Sequence, residues 1–565
     1  MAGKISKSDL AAMQAKIEAA RAEEERLFAP PAAEENRPLD PAFVRACLHN
    51  EERGDGILFA HLHRDKYILV KNWGKSGTWL RWAGHHWEED KKDNVHNAVE
   101  NVAQVYHDYM LGLDAQIKTA NDKLRAAEAA IKLAEENKDT PPVEISKLQG
   151  DKNKALSELS GIHGEQKKAK ARIDKLRKMG GSVNCLEWSH RIGEQSLAIL
   201  GEDIDRHPWL LACPNGVLDL RTAKFGPGRP RDYLMRSVAV PWQGIDCPCP
   251  TWDVFISDIH SGDQDIVAYL DRLFGYALTG HTTEHFIGFF LGEGRNGKGT
   301  MFEVLRYIMG ELGWSVTPEL ILEQKYARSS AGPSPDLISL IGRRFIIASE
   351  SDKNRRVSAS QVKRLTGGDT ISARAPHDRF ETNISPTWKL FFYTNHVPPN
   401  IAQDFALQQR LVYLKYPLQF VDDPDPNDKL QRKKDKDLPD KLIAEASGIL
   451  ARYVRGCLQY QEMGGLHPPA KIKTDIEDLA KSQDAFQMFF ADNVVEDDMH
   501  WIPFKKLYDA FADWYAEEIG DSDKYRPTKK AVSAWLDRRG FERKKPSGVA
   551  TVYGIRLTTQ AEALP

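Results

Sequence analysis

The chain has no run of about 18 apolar residues, which excludes a membrane-spanning helix. Its opening stretch, MAGKISKSDLAAMQAK, lacks the apolar core of a secretory signal, so an intracellular protein is expected. It also lacks an excess of either charge. The 78 Lys and Arg against 81 Asp and Glu leave a net charge of −3. The whole chain is therefore no polycation, and any nucleic-acid site must be a local concentration of charge. Cysteine is sparse. Of Cys47, Cys185, Cys213, Cys247, Cys249 and Cys457, only Cys247 and Cys249 are close, with Pro248 between them. Zinc ribbons use two pairs with a wider internal spacing, so reduced thiols and no bound zinc are expected. What is present is ordinary for a globular protein, 41% hydrophobic and 9% aromatic residues over 565 positions. That length exceeds one compact core and implies roughly three or four domains.

Residues 1–37 are charged and alanine-rich, then proline-rich, and read as a solvated helical or disordered tail. Residues 38–250 read as an α+β domain. Within it, Trp73, Trp79, Trp82 and Trp87 cluster among glycines, and LRWAGHHWEED reads as a hairpin turning at Gly84. Packing is the reading adopted for these rings over stacking on bases. Residues 107–178 interrupt the domain. Leu113, Ile117, Ala120, Leu124, Ala127, Ile131 and Ala134 form a heptad seam that stops at Pro141 and Pro142. It resumes from Ile145 to Leu176, with Lys152 and Gln166 as polar interruptions. Two helices folded into an antiparallel coiled-coil hairpin are expected, protruding as a spacer or oligomer contact. HPWLLACPNGVLDLRT has a strand–turn–strand pattern around Asn215-Gly216. Residues 251–284 read as a helical collar.

The strongest chemical signal starts at His285. FIGFFL is a continuous apolar run, as a buried central strand requires. It leads into Gly292-Glu-Gly294-Arg-Asn296-Gly297-Lys298-Gly299-Thr300, and a helical pattern follows. A strand, a glycine-rich turn and a helix make a phosphate-binding loop: backbone N–H groups face the phosphate, and the helix adds its positive end. Lys298 would reach the β- and γ-phosphates of ATP. The residue after the lysine is Gly299 where Ser or Thr is usual, which leaves Thr300 as the hydroxyl for Mg2+. A second apolar run, RFIIASE, ends in Glu350, with Asp352 just beyond. Carboxylates at that edge can hold the magnesium shell and polarise water. Glu350 is the choice for the water and Asp352 its rival. A third strand, WKLFFYTN, ends in Asn395, a neutral side chain able to orient water beside a phosphate. Between these strands lie Lys363, Arg374, His377 and Arg379, a basic segment with the aromatic Phe380 that suits a phosphate backbone.

The GEGRNGKGT loop, FIIASE, KRLTGGDTISAR, FFYTNHVPP and the arginine of ALQQRLVYLKYPLQF, in this order, resemble the superfamily 3 helicases. The closer resemblance is to the phage and plasmid primase-helicases, the branch that includes the poxvirus helicase-primase and the satellite-phage replication protein. PNGVLDLRT, YLDRLFGYALTG and AEASGILARYVRGCLQY resemble the family's flanks, whereas the coiled-coil insertion departs from its pattern. The resemblance implies an α/β P-loop NTPase core, AAA+-like, over residues 285–420. It implies Asn395 as γ-phosphate sensor and Arg410 as an arginine finger entering a neighbour's site. It places Lys363 beside a DNA-contacting hairpin with His377 and Arg379 near its tip. A hexameric ring translocating on single-stranded DNA, 3′ to 5′ by the family rule, and opening forked DNA is implied, in the host cytoplasm if a phage or plasmid encodes it.

Residues 421–484 read as a charged linker followed by a helical segment, and 485–565 as a winged-helix DNA-binding domain. Its cations include Lys529, Lys530, Arg538 and Arg539. Asp203-Ile-Asp205 has a spacing used in metal-dependent nucleotidyl transfer, but a lone DxD is common. Too little chain precedes the hairpin for a primase domain, so a separate primase or polymerase is expected. Two other readings stay open: a DNA-binding ATPase acting in origin recognition or defence without unwinding, and a small-molecule kinase.

Overall fold

The computed structural model describes residues 39–558, apart from 75, 138, 194–195, 324–332, 351–354, 375–380, 399, 403, 483–484, 520–525 and 546–547. The tail at 1–37 therefore lies outside the described residues. No helix among them is long and apolar enough to cross a membrane.

The chain starts with two helices, Pro41–His49 and Glu51–His63. Asp40 caps the first, accepting from the Ala42 amide at 2.9 Å. Glycines allow the close crossings here. A Cβ at Gly54 would sit 1.8 Å from the Cys47 carbonyl oxygen, and one at Gly56 2.4 Å from Trp188. Beside the helices a four-stranded sheet runs in the order Trp87–Glu89, Thr78–Trp82, Tyr67–Val70, Ala198–Ile199. The tryptophans belong to this packing: Trp87 is buried, 5.4 Å from the ring of Trp82.

Two long helices, Glu100–Glu136 and Pro142–Leu176, pack against each other. The first begins at Glu100, so its root lies inside the N-terminal core, where Tyr106 is buried. There the Tyr106 hydroxyl donates to Asp55 at 3.1 Å, and Arg172 of the returning helix donates to the same carboxylate. Burial of Asp55 makes this pair expensive to break from one side. Lys152 and Gln166, the interruptions in the seam, reach across it: Lys152 to Glu128 at 3.1 Å and Gln166 to Asp114 at 2.7 Å.

The centre of the molecule is a five-stranded, all-parallel sheet. Its strands are β1 (Ile287–Leu291), β2 (Gly313–Ser315), β3 (Phe345–Glu350), β4 (Lys389–Thr394) and β5 (Leu411–Lys415), in the order β5-β1-β4-β3-β2. Burial on both faces explains why β1, β3 and β4 read as continuous apolar runs. On one face pack helix Lys298–Met309, the collar helices Pro250–Ile259 and Gln264–Ala277, and helix Ala446–Met463. The collar and the last of these touch backbone to backbone. A Cβ at Gly456 would lie 2.0 Å from the Asp271 carbonyl oxygen. The charged stretch after β5 is partly ordered, since Gln419–Val421 and Gln431–Lys433 pair in parallel.

The strands are anchored at their N-terminal edge by buried cations. Arg344 donates to the carbonyls of Leu278 (2.6 Å) and Leu210 (2.8 Å). Lys389 donates to the carbonyls of Thr279 and Thr387, with its ammonium 4.9 Å from the Tyr276 ring. Burial pushes Arg344 down to about 10 and lowers Lys389 well below the ordinary lysine range.

The C-terminal region forms its own core around Phe486, Phe489, Leu507, Phe511 and Leu536. Helices Ala485–Asn493, Phe504–Trp514 and Lys529–Arg538 pack on a sheet ordered Val494–Pro503, Thr551–Leu557, Arg543–Lys544.

Candidate functional site

The register of the central sheet lines up the last residues of four strands. Lys415 of β5 pairs with Leu291 of β1, Leu291 with Thr394 of β4, and Thr394 with Glu350 of β3. With neighbouring strands about 4.8 Å apart, this row is about 15 Å wide. The glycine-rich turn, Asn395 and Glu350 therefore emerge from one edge, with Asn395 between the other two.

From Leu291 the chain turns through Gly292–Gly297 into the helix beginning at Lys298. Gly294 and Gly297 have φ of +95° and +84°, a region costly for residues with a Cβ. At Gly297 space also forbids a side chain, because a Cβ would lie 2.5 Å from Ile259 of the collar. Gly292 is required for contact alone: a Cβ there would lie 2.1 Å from Asn296 Nδ2 and 2.6 Å from the Tyr416 carbonyl oxygen. Gly299, by contrast, faces open space.

Lys298 is 3% exposed. Its Nζ donates to the Gly292 carbonyl at 2.7 Å and to Asn296 Oδ1 at 2.9 Å. Burial pushes its pKa down to about 8. An ammonium held at the mouth of a turn of backbone amides, on a helix N-terminus, suits a phosphate. Thr300 stands partly exposed in the first turn of that helix. A hydroxyl and carboxylates are the oxygen donors that magnesium prefers, so the donor types are right for it. The side chain of Glu350 and all of Asp352 lie outside the described residues. No cluster of three metal-ligating side chains occurs among the described residues.

A cleft of about 740 Å³ opens beside the turn, with Gly292, Glu293, Asn395, His396, Lys415 and Tyr416 among its lining residues. Asn395 is exposed, one residue past β4. The chain bends there because the Thr394 hydroxyl donates to the His396 carbonyl (2.9 Å) and accepts from the His396 amide (3.1 Å). Glu293, His396, Lys415 and Tyr416 escaped the sequence reading. No local pattern in the sequence shows that the strand ending at Lys415 lies beside β1.

Arg410 is not brought to its own chain's loop. Its carbonyl accepts from the Ile287 amide at 2.8 Å, at the opposite edge of the sheet, about 16 Å from the C-terminal row. Its Nη1 donates to the Ala406 carbonyl at 3.3 Å, and its Nε is buried with no hydrogen-bond partner. Phe405, at the start of the short helix Phe405–Gln408 that precedes Arg410, is 74% exposed.

Lys363 is exposed on helix Ala359–Thr366. Arg364 joins that helix to a two-stranded hairpin by donating to the Ser372 carbonyl at 3.3 Å. The hairpin stem, Ile371–Ala373 with Thr382–Ile384, is antiparallel, and Arg374 follows its first strand. His377 and Arg379 fall outside the described residues. In the C-terminal region Lys529 and Lys530 are exposed, Lys529 lying 5.3 Å from the Tyr508 ring and Arg539 4.6 Å from the Trp535 ring. The Arg538 side chain is outside the described residues. Two nearby cations are neutralised, Arg543 by Asp537 and Lys544 by Glu542. The carboxylates of Asp203 and Asp205 occupy separate environments. Asp203 accepts from the Leu200 amide and pairs with Arg206, while Asp205 is half-buried with its carboxylate enclosed and accepts from the Met235 amide.

Comparison with known proteins gives two family matches. Residues 56–261 match the "D5 N terminal like" model, and residues 290–410 match a family of unknown function, DUF5906. The chain is 26% identical over 367 residues to "Putative helicase L207/L206" of Acanthamoeba polyphaga mimivirus, covering 63% of this chain and 37% of that protein. It is 28% identical over 193 residues to "Putative helicase V13" of Sputnik virophage, covering 33% and 25%. It is 22% identical over 336 residues to "Putative primase C962R" of African swine fever virus, covering 56% and 34%. The chain thus spans well under half the length of these relatives. Among solved structures, the NrS-1 C-terminal region overlaps 54% of this chain and 75% of that one, at 12% identity and a TM-score of 0.32. The order of motifs read from the sequence, the two family matches and the viral relatives point the same way: the chain resembles the phage and viral primase-helicases.

Proposed function

We propose that the chain is the ATP-hydrolysing motor of a DNA helicase in phage- or virus-type replication, with a P-loop core of the superfamily 3 kind. The observation that carries this is the row at the C-terminal edge of the sheet. There the Lys298 turn, Asn395 and the end of the Glu350 strand share one line. Lys298, the turn amides and the helix N-terminus bind the triphosphate; Glu350 accepts a proton from the attacking water; Asn395 orients that water against the γ-phosphate. Thr300, with Glu350 or Asp352, would hold Mg2+, which supplies neutralisation of phosphate charge.

Arg410 cannot serve this site from within its own chain. Its distance from the turn, its partly unpaired guanidinium and the exposed Phe405 five residues before it support a role in the site of an adjacent copy. A head-to-tail contact of that kind closes into a ring, here of six copies. Hydrolysis removes the charge the arginine holds, so the interface relaxes. The basic hairpin after Lys363 then moves along single-stranded DNA, in the 3′-to-5′ direction. The C-terminal region, read as a winged helix, adds duplex contact through Lys529, Lys530, Arg538 and Arg539.

The test is ATP turnover and strand displacement on forked DNA by the purified chain. Displacement that requires ATP and Lys298 supports the motor. ATP turnover without displacement moves the assignment to a DNA-binding ATPase of origin recognition or defence. Turnover by a strict monomer indifferent to DNA removes it altogether.

A further inference from the structure

Asn296 is the most constrained side chain of the glycine-rich turn. It is 3% exposed, and both ends of its amide are used. Oδ1 accepts from Lys298 Nζ at 2.9 Å, and Nδ2 donates to the Tyr416 carbonyl at 3.4 Å. The amide cannot be turned over: the ammonium only donates and the carbonyl only accepts, so each fits one of its two ends. It is wedged under Gly292, whose missing side chain makes the room. Tyr416 in turn is fixed. Its amide donates to the Leu291 carbonyl at 2.7 Å, and its hydroxyl lies 3.2 Å from His260 Nε2 and 3.8 Å from Met301 Sδ. A four-carbon lysine stem has several rotatable bonds and no fixed direction of its own. Here it ends between two acceptors, one from the backbone of the turn and one from a side chain held by the next strand.

We infer that Asn296 is a positioning residue: it aims the Lys298 ammonium by bracing it against the end of β5, and acts on nucleotide only through that lysine. This rests on the reading of the turn as a phosphate site. The small polar residue two places before the lysine thus has a task that its place in a glycine-rich motif does not reveal. It is fixed by a strand more than a hundred residues later.

The experiment is a double-mutant cycle on nucleotide affinity, using the full chain and a fluorescent ATP analogue. The variants are Asn296→Ala, Lys298→Ala and the pair. Asn296→Ala alone should weaken binding about tenfold, as expected for loss of a hydrogen bond to a charged group. In the Lys298→Ala background the same change should cost less than about twofold, because no ammonium is left to aim. Asn296→Asp keeps an acceptor for the lysine but loses the donor to Tyr416 and sets a second anion beside the phosphates, so it should bind no better than Asn296→Ala. Thermal unfolding of each variant checks that the fold is intact. An equal loss in both backgrounds overturns the inference, since Asn296 would then touch nucleotide or hold the turn directly. Wild-type affinity in Asn296→Ala overturns it too. A wild-type chain that binds no ATP analogue sinks the parent reading instead, so the two failures are distinct.

Discussion

The two edges of the central sheet both carry buried cations, and they differ in what those cations face. At the N-terminal edge Arg344 and Lys389 donate to carbonyls at the end of the collar helix and in the preceding domain. These bonds join parts of the chain to one another. At the C-terminal edge Lys298 also donates to two oxygens, but beside an open cleft and on a turn of glycines. Burial of a lysine therefore does not by itself mark a site. The difference lies in whether the partner atoms close the charge off or leave it where an anion can exchange with them.

That contrast can be broken by swapping the same substitution between the two lysines. Lys298→Met should abolish turnover and weaken nucleotide binding by about a hundredfold, while leaving the unfolding midpoint nearly unchanged. Arg410→Ala, at the far edge, should leave affinity within about twofold but cut turnover by about a thousandfold in the assembled protein. Steady-state hydrolysis beside equilibrium binding separates the two, and full turnover in the Arg410 variant would remove the trans-site reading. Lys389→Met should behave in the opposite way. It leaves buried carbonyls unpaired and should cost about 3 kcal/mol in urea unfolding, yet the folded fraction should bind nucleotide like wild type.

Smaller effects sharpen the comparison through pH. Lys298, with a pKa near 8, must be protonated to attract phosphate, so affinity should decline as pH rises through about 8. A titration of binding between pH 7 and 9 reads this directly. His260, beside Tyr416, is buried and pushed down to about 4. The unfolded chain, with a histidine pKa near 6.5, takes up the proton first. The stabilising contribution is therefore full above about pH 6.5 and is lost as pH falls towards 4, up to about 3 kcal/mol. His260→Gln should flatten that part of the stability curve.

The row at the C-terminal edge was only half readable in the sequence. Apolar runs ending in Gly292, Glu350 and Asn395 announce their strands, because a strand buried on both faces must be apolar throughout. The neighbours of β1 are a matter of topology. No local pattern reveals that β4 separates β1 from β3, or that β5 brings Lys415 and Tyr416 to the turn. The anchoring role of Arg344 and Lys389 was hidden for the same reason, since each looks like a charge flanking a strand. In the C-terminal region the helices were readable from Leu507, Phe511 and Trp514. The strand Val494–Pro503 was not, because a register shift between Glu496 and Trp501 breaks its alternation. Lys152 and Gln166 looked like faults in a heptad and turn out to be ties across it.

The paired helices Glu100–Glu136 and Pro142–Leu176 carry a practical consequence. At 1.5 Å per residue, 37 residues make a rod about 55 Å long, with its root locked by Tyr106, Asp55 and Arg172. A fluorophore attached near Asn137 would ride far from the sheet while reporting the orientation of the domain at the rod's base. The protein thus comes with its own pointer for following that domain during turnover.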